Sequence, residues 1–369
     1  MQDGPNRSRG GSLLLHPPTA ARRTFRARRA GPRIAGLAVS DSEAVLTQKQ
    51  VLQRLGLAGD EFAERIFERS GVKTRHLNLS ADFLARSLQG RASEIEQELM
   101  HHSVRAVDAL DIDPERIGTV LTASLYSLGS PTLAHRLLEH YRMHPATDKY
   151  HLTGVGCASG VPLMKLAGQA LRENPEKDAL VVAAESMSGI LTRSLQGEER
   201  AKVIGSALFG DGCAAVLLSS DPHADGPTIL ASQVHQIPDS LEAVRLAFSE
   251  EDGYLHLARE LPDLAGADLR DVVDAFLAHQ RLSREQIDHW IVHPGGRRII
   301  ENVQTALDLP DEEVATSWDA LAEHGNVGTP SIFYVLKETI ERYAPEPMQR
   351  SLMVTIGPGI TVGLMLLGW

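Results

Sequence analysis

Cys157 stands in Gly154-Val155-Gly156-Cys157-Ala158-Ser159-Gly160, directly before Val161–Leu171, a stretch whose apolar residues recur at helical spacing. Small residues on both sides allow a sharp turn into that helix. They present the sulfur at its N-terminus, where the macrodipole favours a thiolate. Such a placement suits nucleophilic catalysis, although a free cysteine is more often a small buried hydrophobe. A thiolate nucleophile also needs a basic or cationic partner and somewhere for oxyanion charge to sit. His293 ends the apolar run Trp290-Ile291-Val292 and precedes Pro294-Gly295-Gly296, a setting that can aim an imidazole into a cleft. Asn326 lies in His324-Gly325-Asn326-Val327-Gly328-Thr329-Pro330, a loop feeding a helix, where an asparagine alone reads as a cap or turn residue. Cys213 enters an apolar strand and reads as core. No metal ligand is expected.

The elements that must position these residues alternate in type. Apolar runs over Thr119–Leu125, Ala179–Glu185, Ala214–Ser219, Trp290–His293, Ser351–Ile356 and Thr361–Leu367 read as strands. Gln48–Leu55, Asp60–Ser70, Ala92–Leu110, Leu133–Tyr141, Gly160–Glu173, Leu269–His279, Arg298–Leu307 and Pro330–Tyr343 read as helices. Strands separated by helices imply parallel pairing and a layered α/β body. The turn-rich stretch Asp221–Pro227 divides it into two halves, 34–222 and 223–369, similar enough in length to suit a duplicated fold.

Composition narrows the function classes. With 43% hydrophobic and 23% charged residues the chain is ordinary globular protein. Its longest apolar runs, such as Ala179–Ala184, fall far short of the roughly 18–20 residues of a membrane-spanning helix. Two cysteines build no disulfide framework and no secretory leader is visible, which places the protein in a reducing cytoplasm. The net charge is −11, yet residues 1–36 carry eight arginines against Asp3 alone. Such a head can serve as a polyanion-binding arm or transit peptide. Here Gly, Pro and Ser dilute the arginines, and the acidic body repels polyanions. Residues 1–33 are therefore expected to be a disordered extension, with no nucleic-acid or membrane partner.

The three site contexts gain specificity together. GCASG, ALFGDG over Ala207–Gly212, WIVHPGG, GNVG and Gly357-Pro358-Gly359 occur in this order from about Ile34 to Trp369. The chain resembles the chalcone synthase-like type III polyketide synthases of the thiolase superfamily. The resemblance implies an α/β thiolase fold, five-layered αβαβα with two duplicated halves, working as a homodimer without a cofactor. It implies that Cys157 accepts an acyl group from an acyl-CoA starter, and that His293 and Asn326 drive malonyl-CoA decarboxylation and hold the resulting oxyanions. Phe209 would separate the coenzyme A tunnel from the pocket, and Gly357, Pro358 and Gly359 would scaffold the wall where the product folds. Arg65 and Arg69 match two of the family's three basic coenzyme A-binding positions; the third falls on Phe62.

Several pocket positions depart from the plant pattern. Ile190 stands where chalcone synthases carry Thr, Leu246 replaces a Gly that sets chain length, Leu255 replaces an aromatic, and Gly328 replaces a Ser beside Asn326. An aliphatic-lined pocket points to an aliphatic acyl-CoA or malonyl-CoA starter, with Gly328 opening a side channel. The expected product is a pyrone or resorcinol-type compound after about two or three extensions, since bulky wall residues limit a close-packed pocket. Two rivals share the fold: a ketoacyl-ACP synthase III-like enzyme making one condensation, and a silent acyl-binding partner protein. Phe209 and the GPG loop disfavour the first, and the complete Cys-His-Asn set disfavours the second.

Overall fold

The computed structural model describes residues 31–125, 127, 129–191, 200–248, 253–257 and 268–369, with backbone alone at 88, 200–201, 245–248 and 253–257. Gly31–Trp369 forms one compact unit. Its strands are β1 Arg33–Ser40, β2 Val45–Thr47, β3 Thr74–His76, β4 Ile117–Ala123, β5 Asp148–Leu152, β6 Asp178–Glu185, β7 Gly212–Ser219, β8 Thr228–Gln236, β9 Val244–Phe248, β10 Gly253–Leu257, β11 His289–Val292, β12 Arg350–Gly357 and β13 Thr361–Gly368.

Nine of these form one mixed sheet in the order β11-β12-β13-β8-β1-β7-β6-β4-β5. In the first half, β5, β4 and β6 are parallel, β7 runs antiparallel to β6, and β1 antiparallel to β7. The second half repeats the scheme: β11 and β12 are parallel, β13 is antiparallel to β12, and β8 antiparallel to β13. The two series meet through β1 and β8 at Arg33 and Thr228. The repeat of order and direction is the duplication.

The layers follow from which face of each strand is apolar. Along β6 every residue is buried, so both faces must be covered. Ala179, Val181 and Ala183 face a core that also takes Val161, Met164 and Leu171 of the helix Gly160–Glu173 and Ile332, Phe333 and Leu336 of the helix Ser331–Tyr343. That same core takes Ile291, Met353 and Met365 from the second half, so these two helices are the central layer. The alternate residues Leu180, Val182 and Ala184 face an outer core with Leu99, Val107, Leu133 and Leu137 from the helices Leu88–Asp108 and Leu133–His140. A matching outer core packs Val273, Leu277, Ile300 and Val303 against Leu352, Val354 and Leu364. Outer helices, one half of the sheet, central helices, the other half of the sheet and outer helices stack in that order.

Residues 1–30 of the basic head lie outside the described residues. The described residues begin at Gly31 and are tied to the body from there. The Pro32 carbonyl accepts from the Ile229 N–H at 2.9 Å, and Arg33 donates to the Gly226 carbonyl at 2.7 Å. A chain beginning at Gly31 is therefore expected to make product at the full-length rate. One beginning at Leu37 loses half of β1, where both halves are joined, and should show a clearly lower unfolding temperature and little activity.

Candidate active site

The cavity opens at the carboxyl ends of parallel strands, where an α/β sheet leaves room for a ligand. Glu185 is the last residue of β6, His293 follows β11, and Ile356 and Gly357 end β12. Together with Leu125, Gly156, Cys157, Met187, Ile190, Phe209, Val244, Gly295, Ile299, Asn326, Gly328 and Pro358 they enclose about 690 Å³ of free space, its mouth included. Cys157 lies in the short 3-10 turn Gly156–Ser159 that leads into the helix Gly160–Glu173. The turn is held by close packing. Gly156 has φ +58°, and a Cβ there would stand 2.9 Å from Pro358; a Cβ on Gly357 would stand 2.5 Å from the Ala158 nitrogen. The GPG loop thus clamps the nucleophile turn as well as lining the cavity. Gly359 is the exception: it is not among the described lining residues, and its N–H donates to the Val244 carbonyl at 3.0 Å.

Asn326 has a fixed orientation. Its Oδ1 accepts the Gly328 backbone N–H at 2.9 Å, and its Nδ2 donates to the Gly295 carbonyl at 3.2 Å. A backbone N–H can only donate and a carbonyl only accept, so the amide cannot be flipped. One Nδ2 hydrogen remains available. The Cys157 thiol donates to Asn326 Oδ1 at 3.9 Å, a sulfur-length contact that joins thiol and amide. His293 is 1% exposed, and neither of its ring nitrogens has a hydrogen-bond partner among the described residues. A buried imidazole left without partners is costly, and such groups mark functional sites.

Electrostatics correct one expectation. The sequence pointed to a thiolate–imidazolium pair favoured by the helix start. Burial instead pushes the Cys157 thiol up to about 12, with the charge of Glu185 adding to it, and the hydrogen bond to Asn326 offsets only part. Burial alone pulls His293 down to about 3. Desolvation at both groups thus works against the charged forms that the dipole of one helix turn favours.

Glu185 is a buried carboxyl on the cavity wall that the sequence reading did not single out. It is 2% exposed, and burial pushes its carboxyl up to about 8 against hydrogen bonds from the Leu125 N–H, Ser124 and Thr329. Its charge opposes the thiolate, which gives a testable sign. Below about pH 8 the carboxyl is mostly protonated, so Glu185→Gln and wild type should alkylate Cys157 with iodoacetamide at similar rates. Above that pH the variant should react faster, by up to about tenfold for a shift of one pKa unit. Coincident profiles across the range would remove Glu185 from the electrostatics of the thiol.

Phe209 is buried and lines the cavity, and its backbone pairs with Asn326 in an isolated parallel bridge. The loop is clamped by Arg75, also missed: its fully buried guanidinium donates to the Ser206 carbonyl at 2.6 Å and the Phe209 carbonyl at 2.9 Å. Nothing in the local pattern around Thr74-Arg75-His76 distinguishes that arginine from a surface one. Ile190 lines the cavity as expected. Gly328 opens no channel: the position of its Cβ is filled by Met187 Cε at 2.7 Å and Glu185 Cγ at 3.0 Å. Leu246 and Leu255 face each other in the β9–β10 hairpin register, and their side chains lie outside the described residues. Arg65 and Arg69 are exposed on the helix Glu61–Arg69, whose Ala63 and Phe67 point inward. That helix packs on Arg200–Leu208, which leads to Phe209. Among the described residues, neither arginine pairs with the carboxylates of its own helix. Cys213 is buried in β7 and is not among the described cavity-lining residues; its thiol lies against the Ser103 hydroxyl.

A duplicated αβαβα body with cysteine, histidine and asparagine on one cavity defines a thiolase-type condensing enzyme. The chain belongs to the type III polyketide synthase family: the family described as FAE1/Type III polyketide synthase-like protein matches residues 38–292, and the chalcone and stilbene synthase C-terminal domain matches residues 228–368. Among curated relatives, a 3,5-dihydroxyphenylacetyl-CoA synthase of Streptomyces toyocaensis is 28% identical, with 92% of this chain and 90% of the relative covered. An alpha-pyrone synthesis polyketide synthase-like protein of Mycobacterium tuberculosis is 25% identical, with 90% of each covered. The fold matches crystal structures of the 1,3,6,8-tetrahydroxynaphthalene synthase of Streptomyces coelicolor A3(2), TM-score 0.84 at 23% identity, and of PKS-I from the brown alga Ectocarpus siliculosus, TM-score 0.83 at 24% identity. Each match covers 92% of this chain and 99% of the other. No helix among the described residues is long and apolar enough to cross a membrane.

Proposed function

We propose that Cys157 carries the growing acyl chain and that His293 and Asn326 perform the condensation chemistry. The observation that carries this reading is the pair of partnerless ring nitrogens on buried His293, on the same cavity wall as the Cys157 thiol and the free Nδ2 hydrogen of Asn326. In the loading step the Cys157 proton moves to His293 as sulfur attacks the acyl-CoA carbonyl; the tetrahedral oxyanion collapses, and coenzyme A leaves with a proton as free thiol. Malonyl-CoA then enters with its thioester oxygen against His293 and Asn326. Loss of CO2 places the electron pair on that oxygen as an enolate, which two aimed donors stabilise in a water-poor pocket. The enolate carbon attacks the Cys157 thioester, and the thiolate leaves as the new carbon–carbon bond forms; the lengthened chain, now a β-ketoacyl-CoA, returns to Cys157 for each further round by the same thiol attack that loaded the starter, coenzyme A leaving again as free thiol. Phe209 offers an apolar face that disfavours the carboxylate and favours its release as CO2. Intramolecular attack of an enol oxygen on the last thioester releases a pyrone; carbon attack gives a resorcinol-type ring.

Residues 34–222 form the half bearing the nucleophile and 223–369 the half bearing His293 and Asn326. Arg65 and Arg69 receive the polyanionic end of coenzyme A, no cofactor takes part, and the enzyme acts as a cytoplasmic homodimer. Leu125, Met187, Ile190, Val244, Ile299 and Ile356 supply an aliphatic lining, which favours an aliphatic acyl-CoA starter. The similarity to an alpha-pyrone synthesis protein is in keeping with pyrone release. Incubation with malonyl-CoA and a panel of aliphatic and aromatic acyl-CoAs, with products identified by mass, tests the reading. Aliphatic pyrones after about two or three extensions are expected, set by the volume of a close-packed pocket. Long aromatic products from an aromatic starter would contradict it.

A further inference from the structure

Outside the cavity, Asp41, His76 and His324 bring one ligand atom each to within 4.8 Å of one another. They come from three separate parts of the chain: the segment after β1, the end of β3, and the last turn of the helix Ala315–His324. We propose that this cluster is a divalent transition-metal site, of a kind suited to Zn2+, that fixes the loop carrying Asn326.

The hydrogen-bond geometry supports a cation between these groups. His76 Nδ1 lies 2.5 Å from the Ser42 carbonyl, which can only accept, so Nδ1 bears the hydrogen. The other ring nitrogen, Nε2, then faces Asp41 Oδ2 at 3.9 Å. A backbone carbonyl on the far nitrogen is how metal-binding histidines are commonly held. His324 Nδ1 lies 3.4 Å from Asp41 Oδ1 but makes no hydrogen bond, although the atom is buried. Asp41 Oδ1 is oriented by the Tyr334 hydroxyl, which donates to it at 2.7 Å. The His76 and His324 rings stack with centroids 5.6 Å apart. Two imidazole nitrogens thus face one carboxylate, an arrangement that a shared cation would satisfy. With metal–ligand distances of about 2.0–2.2 Å, ligands in a tetrahedron stand about 3.4 Å apart. His324 Nδ1 stands 3.4 Å from Asp41 Oδ1, and His76 Nε2, 3.9 Å from Oδ2, must shift for both rings to share an ion with one Asp41 oxygen. The three side chains are 16–23% exposed, which leaves water access to a fourth position.

The consequence lies two residues along the chain. His324 is followed by Gly325, at φ +69°, and then by Asn326, whose N–H donates to the Leu208 carbonyl at 2.8 Å. An ion on His324 would tie the end of that helix to the first and third strands and hold the turn that aims the Asn326 amide. The proposal concerns metal binding and stands whether or not the condensation reading holds.

Tag-free full-length protein, stripped with a chelator and titrated with ZnCl2 by calorimetry, is expected to take up one equivalent per chain. CoCl2 in its place should give visible d–d absorption, and Zn2+ should raise the unfolding temperature by a few degrees. His76→Ala and His324→Ala should lose the Co2+ spectrum. Asp41→Asn, which keeps an acceptor for Tyr334 and guards against simple misfolding, should weaken binding about 10–100-fold. His289→Ala, remote from the cluster, should bind as wild type. No uptake by wild type would mean that a proton bridges the cluster instead, and unchanged binding in Asp41→Asn and His76→Ala would place the metal elsewhere. Either result overturns the proposal.

Discussion

Cys157→Ala is expected to leave the fold intact and to abolish product formation, a loss of roughly 10⁴-fold or more, the scale that removal of a covalent nucleophile produces. The substitution removes one sulfur atom from a turn held by Gly156, Ala158 and Pro358, whose packing does not depend on it. Conversion of malonyl-CoA to acetyl-CoA should persist in this variant, because the oxyanion donors belong to His293 and Asn326. Cys213→Ala should form product normally. Circular dichroism, product yield and CO2 release, measured together, separate these outcomes. Full condensation activity in Cys157→Ala would remove the thioester from the mechanism.

His293 and Asn326 should divide their labour in a measurable way. Asn326→Ala removes one donor to charge that appears only as CO2 leaves, so decarboxylation should fall by about 10²–10³ while starter loading changes far less. The variant also frees the Gly328 N–H and the Ser331 hydroxyl, both bonded to Oδ1. Some loss of stability is therefore expected alongside. His293→Ala removes both the base and a donor, and should slow loading and decarboxylation alike. Since the thiol is pushed up to about 12 and His293 down to about 3, free Cys157 should alkylate slowly at neutral pH. Equal losses in both steps for Asn326→Ala would refute the division.

Much of this architecture is legible in the chain. Interior strands such as β6, buried on both faces, carry continuous apolar runs that need no structure to be read. The strands missing from the pattern are those with weaker apolar constraint. β5, Asp148-Lys149-Tyr150-His151-Leu152, is an edge strand with no fully buried residue, and β8 has a mostly half-exposed face. β1 is hidden because it follows the arginine-rich head without a break. In the site, Cys157, His293 and Asn326 are visible because glycine and proline around them mark sharp turns. Glu185 and Arg75 are not: their chemistry arises from burial and from partners more than fifty residues away in several cases, as with the Leu125 N–H on Glu185 and the Phe209 carbonyl on Arg75. The desolvation at Cys157 and His293 is hidden for the same reason, since it depends on walls supplied by both halves. The space beside Gly328 was misjudged because Met187, distant in sequence, fills it.

The central claim is that Cys157 holds the acyl chain to which malonyl-CoA adds. Intact-protein mass spectrometry after a brief exposure to an aliphatic acyl-CoA, with peptide mapping and a malonyl-CoA chase, tests it most directly. The account predicts one acyl adduct on the peptide containing Cys157 and none on that containing Cys213; the chase should discharge it into a product containing the starter. An adduct on another residue, or a Cys157 adduct that malonyl-CoA does not discharge while product still accumulates, would contradict it.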